Sequence, residues 1–242
     1  MIPKIFGTPL ELAEEFAQDF KNICEEFISK NGTINIALSG GNTPKLFFEV
    51  LSKEYLNKLD WSKINFYWVD ERCVPVESNE SNYGEAERIL FRNISSKKNI
   101  YHINGASDAE NEAVRYSDLI KKNLPAKNNF PVFDLILLGV GLDGHTASIF
   151  PDQMSLLSSE KICVVATQPV SGQKRITLTG RVINNAKRLV FLVPGKGKAE
   201  VVKEILNKEN GYKKYPAAHI SPINGQLEWY LDFEAAGLIR QT

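Results

Sequence analysis

The stretch Gly139-Val140-Gly141-Leu142-Asp143-Gly144-His145 sets an imidazole on a glycine-rich turn, two residues after a carboxylate and directly behind an apolar run. Imidazole is the side chain whose ordinary titration falls near neutrality, so His145 is a candidate general base. His102 and His219 have no such loop around them and are read as structural. Asp143 is one candidate to orient the base or a bound ring. Asp70, in Asp70-Glu71-Arg72, is another, and the residues alone leave the choice between them open.

A second group has the chemistry of anion binding. Ser39-Gly40-Gly41-Asn42-Thr43-Pro44 combines two glycines with the start of a helix. Backbone N–H groups converge there without Cβ obstruction, and a helix N-terminus favours phosphate. No Gly-Lys-Ser/Thr follows, so this is not a nucleotide P-loop of the usual kind. Arg72 offers a guanidinium fork to phosphate oxygens. Lys198, in Gly195-Lys196-Gly197-Lys198, opposes the dipole of the helix it precedes, a poor choice for stability and a suitable one for an anion. Spacing does not separate Lys198 from Lys196. Arg175 is a further candidate cation.

The stretch Gly139–Gly144 also reads GxGxxG after a strand, which raises the possibility of a dinucleotide. Three features oppose it. Pro151 leaves little room for a crossover helix, the next strand ends in Thr167-Gln168-Pro169 with no acid for a ribose, and Asp143 would repel a pyrophosphate.

These segments must be positioned by regular elements. Thr8-Pro9-Leu10-Glu11 reads as a helix start, and Leu12, Phe16, Phe20, Ile23 and Phe27 recur at helical spacing until Asn31-Gly32. Residues 34–39, 64–69, 133–140, 161–167 and 188–193 are short apolar or β-branched runs, expected as strands. Helices are expected from Thr43, over 81–91, over 108–124 and over 197–206. Alternation of strand and helix predicts an α/β fold: an open, mainly parallel sheet with helices on both faces. No linker or repeat divides the chain, so residues 1–242 are expected to form one domain. The polar segments at Ser39, Asp70, Gly139 and Pro194 all follow strands, at the edge where open parallel sheets bind ligands.

Composition narrows the class. Of 242 residues, 43% are hydrophobic and 24% charged, the ordinary globular range. Lys plus Arg number 29, as do Asp plus Glu, so no basic excess points to nucleic acid. Cys24, Cys73 and Cys163 are separated and odd in number, as expected of reduced thiols, and no zinc spacing occurs. No apolar run reaches membrane-spanning length, and the start of the chain is too acidic for a signal peptide. A soluble cytoplasmic protein is expected.

The same segments, in order, resemble the 6-phosphogluconolactonase family: SGGNTP (39–44), VDERCVP (69–75), SNY (81–83), GVGLDGHTASIFP (139–151), RITLT (175–179), VPGKGKA (193–199) and LEWYLDFEAA (227–236). Asn42 stands where serine is frequent, and Ile149 where leucine is usual. The resemblance implies a Rossmann-like fold shared with glucosamine-6-phosphate deaminases and ribose-5-phosphate isomerases. It also implies hydrolysis of 6-phospho-D-glucono-1,5-lactone, with His145 as base on water and Asp143 or Asp70 orienting the ring. The phosphate would be held by Ser39, Gly40, Gly41, Asn42 and Thr43 together with Arg72, Arg175 and Lys198. No metal or redox cofactor is implied. The partner is the sugar-phosphate lactone, with neither nucleic acid nor membrane, and the chain is expected as a monomer or small homo-oligomer. Deaminases resemble GHxAFNEP after the histidine; here Thr146 to Pro151 contain no acid. A deaminase or aldose–ketose isomerase is the nearest alternative, and a non-catalytic sugar-phosphate sensor a second.

Overall fold

A computed structural model describes residues 2–96, 98–209 and 211–239, with the side chain of Asn42 outside the described part. Strand β1 (Lys4–Phe6) leads into helix α1 (Pro9–Asn31). The helix starts as its residues dictate: the Thr8 hydroxyl accepts the Glu11 N–H at 3.1 Å, and Glu11 accepts the Gly7 N–H at 2.7 Å. Gly32, at φ 79°, closes it by donating to the Ile28 carbonyl. There follow β2 (Ile34–Leu38), α2 (Asn42–Val50), β3 (Ile64–Trp68), β4 (Asp70–Arg72), α3 (Asn82–Ile89), β5 (Asn99–Tyr101) and α4 (Ala109–Asn123). A two-residue hairpin, β6 (Ala126–Lys127) and β7 (Phe130–Pro131), precedes β8 (Leu135–Leu138), β9 (Cys163–Thr167) and β10 (Lys174–Leu178). The chain continues through α5 (Gly180–Asn184), β11 (Arg188–Val193), α6 (Ala199–Leu206), β12 (Gln226–Asp232) and α7 (Phe233–Ala236).

Seven strands form one sheet in the order β1-β12-β11-β8-β2-β3-β5, with every neighbouring pair parallel. From β2 the chain steps outward to β3 and β5; from β8 it steps the other way to β11 and β12. With right-handed crossovers, α1–α3 cover one face and α4–α6 the other. The order reverses between β2 and β8, which are neighbours, so a crevice opens where both strands end. Burial on both faces explains the unbroken apolar run of β8, all four residues of which are buried.

The aromatic residues of α1 fix α2 as well. Phe16 and Phe20 lie 4.9 and 5.2 Å from Phe47 of α2, and Phe16 lies 5.1 Å from Tyr230 of β12. Helix α2 is therefore packed through Phe47 on the aromatic residues of α1. Among the described residues, no helix is long and apolar enough to cross a membrane.

Two expectations need correction. Residues 161–167 do not join the parallel sheet: β9 pairs antiparallel with β10, which pairs antiparallel with β4, in a separate three-stranded sheet. The run is apolar because it packs on α4, while Val164 and Val165 remain partly exposed. The Asp-Glu-Arg segment that follows β3 is itself strand β4. Val69 carries the chain across, donating to Leu38 of β2 and accepting from Leu178 at the end of β10, each at 2.8 Å. The helices expected from Thr43, over 81–91 and over 197–206 are Asn42–Val50, Asn82–Ile89 and Ala199–Leu206, with 3-10 turns flanking the latter two.

Candidate active site

The turn after β8 is built to present an imidazole. Gly141 donates to the His145 carbonyl at 2.8 Å, and Gly144 donates back to Gly141 at 3.0 Å. Gly144 takes φ +77°, and any Cβ there would lie 2.1 Å from Tyr215. At Gly141 a Cβ would come within 2.0 Å of His145 Nδ1, so the imidazole occupies the space that the glycine leaves. Asp143 Oδ1 is 2.5 Å from Nδ1 and also accepts the His145 N–H at 3.2 Å. Burial would raise the Asp143 carboxyl, but the hydrogen bond and charge of His145 outweigh it and hold the group below the ordinary aspartate value. A carboxylate on Nδ1 keeps the ring proton there, and Nε2 is left with a lone pair. His145 lines a cleft of about 490 Å³ at the β2/β8 crevice. Asp70, the other acid considered, is not bonded to His145.

The small sheet forms another wall of this cleft. Side chains alternate along β4, so Asp70 and Arg72 face the cleft while Glu71 turns away. Arg72 stands directly opposite Arg175, and Asp70 opposite Thr177. Two like charges in one cross-strand pair repel. Each guanidinium also has a buried Nε with no partner among the described residues. Burial pulls Arg175 below the ordinary arginine value, and the Arg72 charge adds to this while the Asp70 charge opposes it. Among the described residues, neither guanidinium forms an ion pair with a carboxylate. Phe150 connects it to the base: its ring is 4.9 Å from the His145 ring and 5.6 Å from the Arg175 guanidinium carbon.

The glycine-rich turn closes the crevice. Ser39 donates from its hydroxyl to the Leu137 carbonyl at 2.8 Å, spanning from β2 to β8. Gly40, Gly41 and Thr43 line the cleft, and Gly41, at φ 104°, is the residue from which α2 starts. Lys198 also lines the cleft, whereas Lys196 is exposed away from it. Burial lowers Lys198 below the ordinary lysine value, with the Asp143 charge opposing. Ser39, Gly40, Gly41, Thr43, Asp70, Arg72, His145, Arg175 and Lys198 thus share one cleft, with Asp143 behind His145.

Four supporting residues escaped the sequence reading. Glu71 is buried and accepts N–H groups of Arg72, Asn82 and Tyr83, each at 2.8 Å, and the Ser81 hydroxyl at 3.1 Å. Burial pushes its carboxyl up, and the backbone bonds oppose that. It ties the start of α3 to β4. Asn82 then donates to the Asp70 carbonyl at 2.8 Å and fills the space over Gly40, where a Cβ would meet it at 1.9 Å. Asp232 accepts the Gly195 N–H at 2.9 Å and the Ala235 N–H at 2.7 Å, holding the turn that carries Lys198. Ser148 donates to Asp70 at 2.6 Å. Period-two alternation in a strand could have set Glu71 apart from its neighbours; nothing local marks the other three.

Residues 7–229 match the family described as glucosamine-6-phosphate isomerases/6-phosphogluconolactonase. The 6-phosphogluconolactonase of Haemophilus influenzae is 41% identical over 236 residues, covering 97% of this chain and 98% of the relative. A crystal structure of the devB protein superposes with TM-score 0.92 at 42% identity, over 99% of this chain and 100% of that one. The 6-phosphogluconolactonase of Trypanosoma brucei superposes with TM-score 0.86 at 30% identity, over 98% of both chains.

Proposed function

Because the chain belongs to the glucosamine-6-phosphate isomerase/6-phosphogluconolactonase family, we propose that it hydrolyses 6-phospho-D-glucono-1,5-lactone to 6-phospho-D-gluconate with His145 as general base. One observation carries the proposal: an imidazole with a carboxylate on Nδ1 lines a cleft that also holds cations with no ion pair among the described residues.

The phosphate is gripped by the Gly40–Thr43 backbone with Arg72, Arg175 and Lys198. That grip, remote from the reacting carbon, makes attack effectively intramolecular. Water adds to the lactone carbonyl while His145 Nε2 takes its proton. Asp143, fixed on Nδ1, stabilises the resulting imidazolium. Collapse of the tetrahedral intermediate breaks the bond between carbonyl carbon and ring oxygen, and the imidazolium returns its proton to that oxygen. The oxyanion is stabilised by cleft N–H groups or by a cation of the site. The text after His145, Thr146 to Pro151, brings no acid to it, which favours the lactone over an amino-sugar phosphate.

The test is base uptake in a pH-stat with fresh lactone, compared with spontaneous hydrolysis and with ammonia release from glucosamine 6-phosphate. Lactone opening well above the spontaneous rate, with no ammonia, is expected. No acceleration, or ammonia release, refutes the reading. Gly141→Ala tests the seating of the base: its Cβ must displace the imidazole, and a shift of about 1 Å costs on the order of 10²-fold in rate. The expected result is that loss in kcat with an unchanged far-ultraviolet spectrum; full activity would show that the imidazole does not need this seat.

A further inference from the structure

A second cavity, of about 240 Å³, lies outside the substrate cleft, between the loops 74–81 and 102–106. Tyr83 and His102 both line it as a stacked pair, with ring centroids 4.1 Å apart and planes 14° from parallel. Trp68, fully buried, braces Tyr83 with its ring 5.2 Å away. Val74, Pro75 and Val76 form one lip, and Ile103 and Ala106 belong to the other. Burial and the charge of Arg115 hold His102 below the ordinary histidine value, against the charges of Glu112 and Glu87, so the stacked pair is uncharged at neutral pH.

Both lips end on Arg72. From the first, the Glu80 carbonyl accepts from Arg72 Nη1 at 2.5 Å, and the Gln173 amide donates to the Glu80 carboxylate at 3.3 Å. From the second, Gly105 lies so close to the Arg72 carbonyl that a Cβ would meet it at 2.3 Å. Within the first lip the Val76 and Ser78 carbonyls accept from Arg88 at 3.4 and 3.5 Å, long bonds that yield easily. Anything that parts the lips is therefore felt at Arg72.

The lining selects the occupant. The volume falls below the roughly 300–1,000 Å³ of sites for drug-sized ligands, so it suits a single ring or a fused pair. Stacked aromatic rings favour a flat guest. Among the described residues no lysine or arginine lines the cavity, Glu77 does, and the charge of Glu87 reaches both rings. Carboxylates there repel an anion and attract a cation. A flat nitrogen heterocycle, uncharged or cationic, meets these conditions; a sugar phosphate, anionic and not flat, does not.

We propose that this cavity is a regulatory site for an uncharged or cationic planar nitrogen heterocycle, whose binding draws the Arg72 guanidinium from its place opposite Arg175 and weakens the hold on phosphate. The guest spreads the lips, and the first carries the Glu80 carbonyl outward with the guanidinium bound to it. The inference rests on the lactonase reading only for Arg72's place in the phosphate site.

Nicotinamide, 1-methylnicotinamide and nicotinate present one ring in neutral, cationic and anionic form. Each is titrated at millimolar concentration into the wild type, with the labelled His102 ring followed by NMR. The same is done for Ala106→Trp and Val76→Phe, which fill the cavity from opposite lips at exposed positions and should keep the wild-type far-ultraviolet spectrum. Saturable shifts are expected with the amide and its cation, but not with nicotinate and not in the filled variants. Nuclear Overhauser contacts from the guest to the Tyr83 and His102 rings locate it without any variant. Calorimetry should then show inorganic phosphate binding about fivefold or more weakly when the cavity is saturated, and phosphate weakening nicotinamide by the same factor. No saturable shift in the wild type, equal binding of nicotinate, or undiminished binding in both filled variants overturns the site. Saturable binding with phosphate affinity unchanged or raised overturns the regulation. Arg72→Ala then separates the two readings: phosphate affinity lost in that variant leaves the phosphate site standing and removes only this inference, whereas affinity retained there faults the phosphate reading itself.

Discussion

Replacing His145 with alanine is expected to lower kcat for the lactone by about 10²–10⁴-fold, the contribution of a positioned general base, while leaving binding of the phosphate end and the melting temperature nearly unchanged. The side chain is 29% exposed and makes its one described polar ring contact with Asp143, so little of the core depends on it. A variant with near-normal kcat would remove His145 from the chemistry. Asp143→Asn separates the base from its orienting group. An amide cannot stabilise the imidazolium as a carboxylate does, so kcat falls again, but by less than the ~10⁴ seen where such a carboxylate is fully buried. Asp143 is 44% exposed, and water screens its charge. If Asp143→Asn cost as much as His145→Ala, the carboxylate would have to do more than orient the ring.

The order of these effects depends on which acid stands behind the histidine, and that was not readable from the residues. Asp143 reaches Nδ1 only because the turn folds back on Gly141. Asp70 is taken out of contention by Ser148, a partner distant in sequence and marked by no local pattern. The segments around the cleft were legible for a different reason: β2, β3, β8 and β11 are buried apolar runs broken abruptly by glycine or charge. The sheet's outer strands were not. β1 and β5 have three residues each, too few for a period to show. β9 misled because an apolar run records burial without recording its partner: packing on α4 gave it the composition of a central strand. The choice between Lys196 and Lys198 likewise waited for the turn at Gly195, which Asp232 holds from the neighbouring strand so that only Lys198 enters the cleft.

The arginine pair makes the second large prediction, and its sign differs between activity and stability. Arg72 and Arg175 are brought face to face by the register of β4 and β10, two segments that sequence alone does not join. If the pair exists for the phosphate, removing either guanidinium loses charge-assisted hydrogen bonds of about 1.5–3 kcal/mol. At about 1.4 kcal/mol per decade this lowers kcat/KM roughly 10- to 100-fold for Arg72→Ala or Arg175→Ala, and more for both together. Lysine at either position keeps the charge but not the fork, so it should recover only part of the loss. The free protein should respond in the opposite direction. Like charges opposed across two strands destabilise by up to about 1 kcal/mol, so Arg175→Met, which keeps a long apolar stem over Phe150, should melt at or slightly above the wild-type temperature in phosphate-free buffer. Added inorganic phosphate should then stabilise the wild type more than the variant, because stabilisation by a bound ion grows with its affinity for the folded site. A variant that melts well below the wild type, or that phosphate protects equally, would mean that the two arginines hold the small sheet together and that the anion sits elsewhere. On the proposed reading, the repulsion between Arg72 and Arg175 is relieved when the substrate's phosphate binds between them.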